Sequence, residues 1–155
     1  MDTDMTSDIL IYNILRDSTD KFINKCNLKF VDRSVPASED DTIYVGNVDL
    51  ENVKESFNST EYRALVQIYV KTKNTDYLEG SKFLRTVVKR IKNELRSNVD
   101  CKQRRITFRN TQYVYGSKYT LKGLNLLVQM AEYETFNVSD EDFDCMNLDV
   151  DVDVE

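Results

Sequence analysis

The chain has no histidine and no tryptophan, one proline, four glycines and three cysteines among its 155 residues. Each scarcity removes a class of chemistry. Without histidine there is no Ser–His or Cys–His nucleophile pair, no imidazole general base and no His-ligated metal. The glycines, Gly46, Gly80, Gly116 and Gly123, stand alone, so neither G-x-G-x-x-G nor G-x-x-x-x-G-K-S/T is present to cradle phosphate. Cys26, Cys101 and Cys145 are odd in number and far apart, without C-x-x-C spacing. That usage predicts reduced cytosolic thiols rather than a disulfide frame or a zinc site. No apolar run approaches the roughly 18 residues that a membrane-crossing helix needs. The polar start Met1-Asp2-Thr3-Asp4 predicts neither a signal nor a transit peptide. Carboxylate-only catalysis needs two or more acids held together on a rigid scaffold. Asp49, Glu61, Glu79 and Glu94, the acids on predicted rigid elements, show no such grouping. The expectation is a protein that is not an enzyme and that uses no cofactor and no metal.

What is present reads as a soluble single-core domain: 41% apolar and 31% charged residues in a length that suits one domain. Nine tyrosines and seven phenylalanines favour half-buried sheet faces and subunit contacts. Charge is unevenly placed. Residues 139–155 hold eight acids and no base, which leaves 19 acids against 21 bases in residues 1–138. Between Lys82 and Lys122 there are twelve basic residues against only Glu94 and Asp100. The overall net charge of −6 therefore conceals a basic-flanked body, residues 1–136, followed by an acidic tail, residues 137–155.

The body is organised around residues 62–95. Tyr62, Ala64, Val66, Ile68 and Val70 alternate with Arg63, Gln67 and Lys71, the period-2 pattern of a strand with one buried face. Leu84, Val87, Val88, Ile91 and Leu95 then recur at steps of three and four, one apolar stripe on a helix. Asp76 followed by Glu79 has the spacing of a capping box at its start. Upstream, Thr6 or Ser7 is placed to cap a first helix over about residues 8–25, followed by strands at 28–31 and 42–50. The polar stretch 51–60 predicts an excursion longer than a tight hairpin. Downstream, 97–102 reads as a linker and 104–109 as a basic strand. Asn110 reads as a turn before 112–115, Gly116-Ser117 as a second turn, and 119–133 as a last strand with Leu124, Leu126, Val128 and Met130 on one face. This order predicts an α+β domain: a mostly antiparallel sheet of four to five strands with two main helices packed on one face.

Two segments invite a binding role. Arg104, Arg105 and Arg109 lie close in sequence to Phe108, Tyr113, Tyr115, Lys118 and Tyr119. Such a mixture serves phosphate contact and base stacking, and it equally serves a protein interface, whose centre is enriched in Arg and Tyr. Arg104, Arg105, Arg109, Tyr113, Tyr115 and Lys118 are therefore candidate contacts for a subunit or for nucleic acid. In the tail, Asp140, Glu141, Asp142 and Asp144 are candidate residues of an acidic arm. No glycine and terminal glutamate follow at EF-hand spacing, so a solvated, self-repelling segment is expected rather than a calcium loop. The Asp-Val alternation at 149–153 also allows pairing as a strand on a basic surface.

The element order in residues 9–30, 42–48, 62–95 and 121–133 resembles the tail terminator (tail completion, minor tail) proteins of long-tailed bacteriophages. Its most telling segment is Tyr62-Arg63-Ala64-Leu65-Val66-Gln67-Ile68-Tyr69-Val70 running into an amphipathic helix. The resemblance implies a small α+β virion subunit that forms a ring, usually a hexamer, at the head-proximal end of the tail tube. There it would stop tube polymerisation and meet tail tube and neck proteins, with DNA passing through the channel and no membrane partner. Localisation would be the virion, at the tail–neck junction, after synthesis in the host cytoplasm. Stopper and head–tail joining proteins are the neighbouring alternatives. A nucleic-acid-binding adaptor using residues 82–122 is another, and a small regulatory protein whose acidic tail mimics DNA is a third.

Overall fold

A computed structural model describes residues 5–31 and 40–135. The elements in order are α1 (Ser7–Arg16), α2 (Lys21–Asn24), β1 (Asn27–Phe30), β2 (Thr42–Ser56), β3 (Ser59–Lys71), α3 (Tyr77–Ser97), α4 (Val99–Gln103), β4 (Thr107–Tyr115), a 3-10 turn (Ser117–Tyr119) and β5 (Leu121–Thr135). The sheet order is β1-β2-β3-β5-β4. Among the described residues only the β1–β2 pair is parallel; β2–β3, β3–β5 and β5–β4 are antiparallel. The architecture is thus α+β with a mixed, mostly antiparallel five-stranded sheet. The two long helices, α1 and α3, pack on the sheet and on each other.

The interior follows the two periodicities. Ala64, Val66, Ile68 and Val70 of β3 are buried, as are Leu124, Leu126, Val128 and Met130 of β5. Above them sit Leu84, Val87, Val88, Ile91 and Leu95 of α3, with Leu10, Ile11 and Leu15 of α1 closing the side near β1 and β2. Each such side chain contributes about 1.5–3 kcal/mol by leaving water. Asp76 caps α3 by accepting from the Glu79 N–H at 2.9 Å. The reciprocal half of the expected capping box is absent: Asn74 Oδ1 accepts from the Asp76 N–H at 3.0 Å, and Glu79 takes an Asn74 amide hydrogen at 3.3 Å.

Five local expectations are corrected. The first helix stops at Arg16, because Asp20 starts a separate one-turn helix by accepting from the Phe22 and Ile23 N–H groups at 2.9 and 3.2 Å. Thr6 stands at the first cap without a side-chain bond to the helix backbone, its hydroxyl donating instead to Asp8 at 2.6 Å. Residues 51–60 are a continuous hairpin, β2 and β3 joining through Phe57 and Asn58, with Ser56 and Ser59 hydroxyls 2.7 Å apart across the turn. The stretch read as a linker contains α4, capped by Asn98 Oδ1 accepting from the Cys101 N–H at 3.1 Å. Asn110 lies inside β4 beside a bulge at Arg109 rather than in a turn. At Gly123 the approach of β5 to β3 leaves no room for a side chain: a Cβ there would strike the Val70 carbonyl and the Tyr69 ring. The division at residue 136 and the acidic arm residues Asp140, Glu141, Asp142 and Asp144 lie outside the described residues.

Candidate binding surface

The helix face of α3 and the edge strand β4 enclose a groove of about 450 Å³. Its helical wall is Arg85, Lys89, Lys92 and Arg96, and its strand wall includes Thr111 and Tyr113. These cations recur at steps of four, three and four, each one position after Leu84, Val88, Ile91 or Leu95. The same 3.6-residue period that buries the apolar stripe therefore sets a basic stripe beside it. Val88 and Leu124, both nearly buried, lie at the floor.

Aromatic rings from β4 hold the cations in place. The Lys92 ammonium lies 5.7 Å and the Arg96 guanidinium 4.8 Å from the Phe108 ring centroid, and Arg85 lies 5.6 Å from that of Tyr113. The Tyr113 hydroxyl accepts from Arg85 Nε at 2.6 Å and is 2.6 Å from the Ser81 hydroxyl. Burial raises the Tyr113 phenol, but the hydrogen bonds from Ser81 and Arg85 and the Arg85 charge outweigh it and bring it below its usual value. Among the described residues, none of the four groove cations has a carboxylate within salt-bridge distance. Two other cavities mix signs, one lined by Asp17, Glu94, Asp100 and Arg104, the other by Glu61, Arg63 and Arg105.

The structure disperses the six candidates read from the sequence. Arg104 is not on the surface: it is 2% exposed, donating to the Met5 carbonyl at 2.6 Å and to the Ser7 hydroxyl at 3.2 Å. Arg105 is exposed, has φ 52°, pairs with Glu61 at 2.8 Å and lies 6.0 Å from the Tyr133 ring centroid. Arg109 sits at the β4 bulge and donates to Gln129 at 2.8 Å. Only Tyr113 lines the groove; Tyr115 touches it through a tilted ring contact at 6.2 Å. Lys118 is exposed in the β4–β5 turn with φ 57°. Arg85, Lys89, Lys92 and Arg96, which are not among those six candidates, are the ones that share a concave surface. Their one-residue offset from the apolar stripe was the available signal.

The described residues contain no group of three or more His, Cys, Asp or Glu placed to hold a metal ion. They also contain no helix long and apolar enough to cross a membrane. Burial pushes the Cys26 and Cys101 thiols up to about 12, so both are protonated at neutral pH. Comparison with protein-family models and with curated proteins finds no match for this chain.

Proposed function

We propose that the chain is a structural subunit that closes head to tail into a ring, of the tail terminator kind, acting by self-association without turnover. The observation that carries this reading is a pair of open sheet edges of opposite charge. β1 pairs with β2 only as far as Val45, so among the described residues β2 has no outer strand partner from 47 to 56. That arm carries Asp49, Glu51 and Glu55 against Lys54. At the other end of the sheet β4 has, among the described residues, an unpaired outer side, and residues 105–119 hold Arg105, Arg109 and Lys118 with no acid. Different patches at opposite ends make a heterologous contact, which generates a ring when the rotation closes. Val48, Leu50, Val53 and Phe57 are exposed along the arm and supply apolar area. An uncovered edge of this length invites pairing with another chain.

In this reading the ring is a hexamer at the tail–neck junction of a virion, meeting tail tube and neck proteins and passing DNA. The order of helix, short strand, hairpin, helix and hairpin supports it. Light scattering and negative-stain images of the purified chain test it, with one ring species expected. Asp49→Lys with Glu55→Lys should dissociate the ring, as should Arg109→Glu with Lys118→Glu, and combining the two pairs should restore it. A chain that stays monomeric at the highest concentration it tolerates refutes the proposal.

A further inference from the structure

The α3–β4 groove presents four cations with no carboxylate partner among the described residues, while residues 139–155 hold eight acids and no base. We infer that the groove seats the chain's own acidic run, residues 149–155, lying extended between α3 and β4. The inference stands independently of ring formation.

Three features select that occupant. The first is charge: Asp149, Asp151, Asp153 and Glu155 face Arg85, Lys89, Lys92 and Arg96. The second is spacing. Alternate residues of an extended segment are about 6.6–6.8 Å apart on one side, and helix positions three or four apart lie about 4.5–6 Å apart along the axis. The reach of long basic side chains covers the difference. The alternation also turns Val150, Val152 and Val154 away from the acids, so they can descend to Val88 and Leu124 at the floor. The third is reach. Leu124 lies opposite Tyr113, eleven residues before the end of β5 at Thr135, a return of about 37 Å along the strand. Residue 149 is fourteen residues past Thr135 and can span about 46–50 Å. Asp140, Glu141, Asp142 and Asp144 are at most nine residues past it, about 32 Å of chain, and fall short of the groove's far end at Tyr113 and Leu124. A tether of this length holds the run near its own groove at roughly millimolar effective concentration, which favours the same chain over a neighbour. A nucleic-acid backbone would seek the same cations, so the seated run and a polyanion exclude one another.

Disulfide trapping in the full chain tests this. Cys145→Ser removes the tail thiol, and Cys26 and Cys101 are buried. Val152→Cys is then paired either with Asn93→Cys, on the groove wall, or with Arg63→Cys, which is exposed on β3 opposite Ala131 and equally within reach. The groove pair should close at least about tenfold faster, as a monomeric product, reflecting the local concentration of a seated segment. Molar salt, which shrinks screening to about 3 Å, should abolish the difference, as should Asp149→Asn, Asp151→Asn and Asp153→Asn together. Equal rates, a product of twice the chain mass, or a preference that survives neutralisation overturns the inference. So does retention of the unsubstituted chain on immobilised DNA as strong as that of the neutralised variant, since the groove would then be open to nucleic acid.

Discussion

Replacing Arg104 by Met separates a residue that holds the fold together from one that holds an interface. The guanidinium ties the start of α1 to the end of α4 through Met5 and Ser7. The Ser7 N–H donates in turn to Glu132 on β5 at 2.7 Å, and the Arg104 carbonyl accepts from the Ala131 N–H at 2.8 Å. Three elements distant in sequence thus meet at one buried side chain. Two bonds to a charged donor, each worth about 1.5–3 kcal/mol net, set a loss of about 3–6 kcal/mol, with Met filling the space but leaving the Met5 carbonyl and Ser7 hydroxyl short of a donor. With a urea slope near 2 kcal/mol/M, the unfolding midpoint should fall by about 1.5–3 M, and Tm by roughly 6–24 °C for a chain of this size. Urea titration followed by circular dichroism reads the first, and calorimetry the second. Arg104→Lys should recover part of the loss, because an ammonium keeps the charge and not the planar fork. A stability change below about 0.5 kcal/mol, the range of ordinary surface substitutions, accompanied by loss of self-association would refute the argument and return Arg104 to the surface.

Gly123→Ala should destabilise by about 1–3 kcal/mol, since its methyl meets backbone and a ring rather than a flexible side-chain end; a urea titration checks it, and a neutral result would mean β3 and β5 separate more easily than described. Asp20→Ala should cost about 1 kcal/mol as a lost cap, again read by urea. Burial raises the Asp20 carboxyl, but the Ile23 and Phe22 N–H groups and Arg90 outweigh it and hold it below the ordinary carboxylate value. Its contribution is therefore complete above pH about 4 and lost as pH falls through the lower folded value. Asp20→Asn, which keeps an acceptor but not the charge facing Arg90 at 3.0 Å, should flatten that acid limb in stability measured against pH. Thiol reagents at neutral pH should leave Cys26 and Cys101 unmodified until denaturant is added, by mass spectrometry, because both are buried and protonated.

The central strand and helix were legible because their periods are uninterrupted: every apolar position expected in β5 and α3, and all but Tyr62 in β3, is buried. The arm of β2 was not. From 47 to 56 every residue is exposed, and register shifts after Asn47 and Asn52 insert Val48 and Val53 as extra residues. With neither a buried face nor a steady alternation, the strand reading stopped at Leu50, and nothing in residues 51–56 marks them as strand. The over-long first helix has a different cause. Asp17-Ser18-Thr19-Asp20 is a run of residues whose side chains compete for backbone N–H groups, and the Ser18 hydroxyl accepts from the Asp20 N–H at 3.1 Å. The site was half legible. Counting basic residues between 82 and 122 marked the stretch that contains the groove's cations, but proximity in sequence grouped arginines that α4, the bulge and the buried Arg104 send in different directions. Helical phase, applied to charge as it had been to hydrophobicity, isolates the four that converge.

That shared phase leaves α3 intolerant of any change in its length. Each cation follows by one position a residue that seals the interior, and one residue is about 100° of rotation. Deleting a single residue near Thr86 would bring Lys89, Lys92 and Arg96 to the positions of Val88, Ile91 and Leu95, drawing three charges into the core and turning the apolar row outward. Substitution along either row erodes one surface at a time; a frame slip of one would disrupt them both at once.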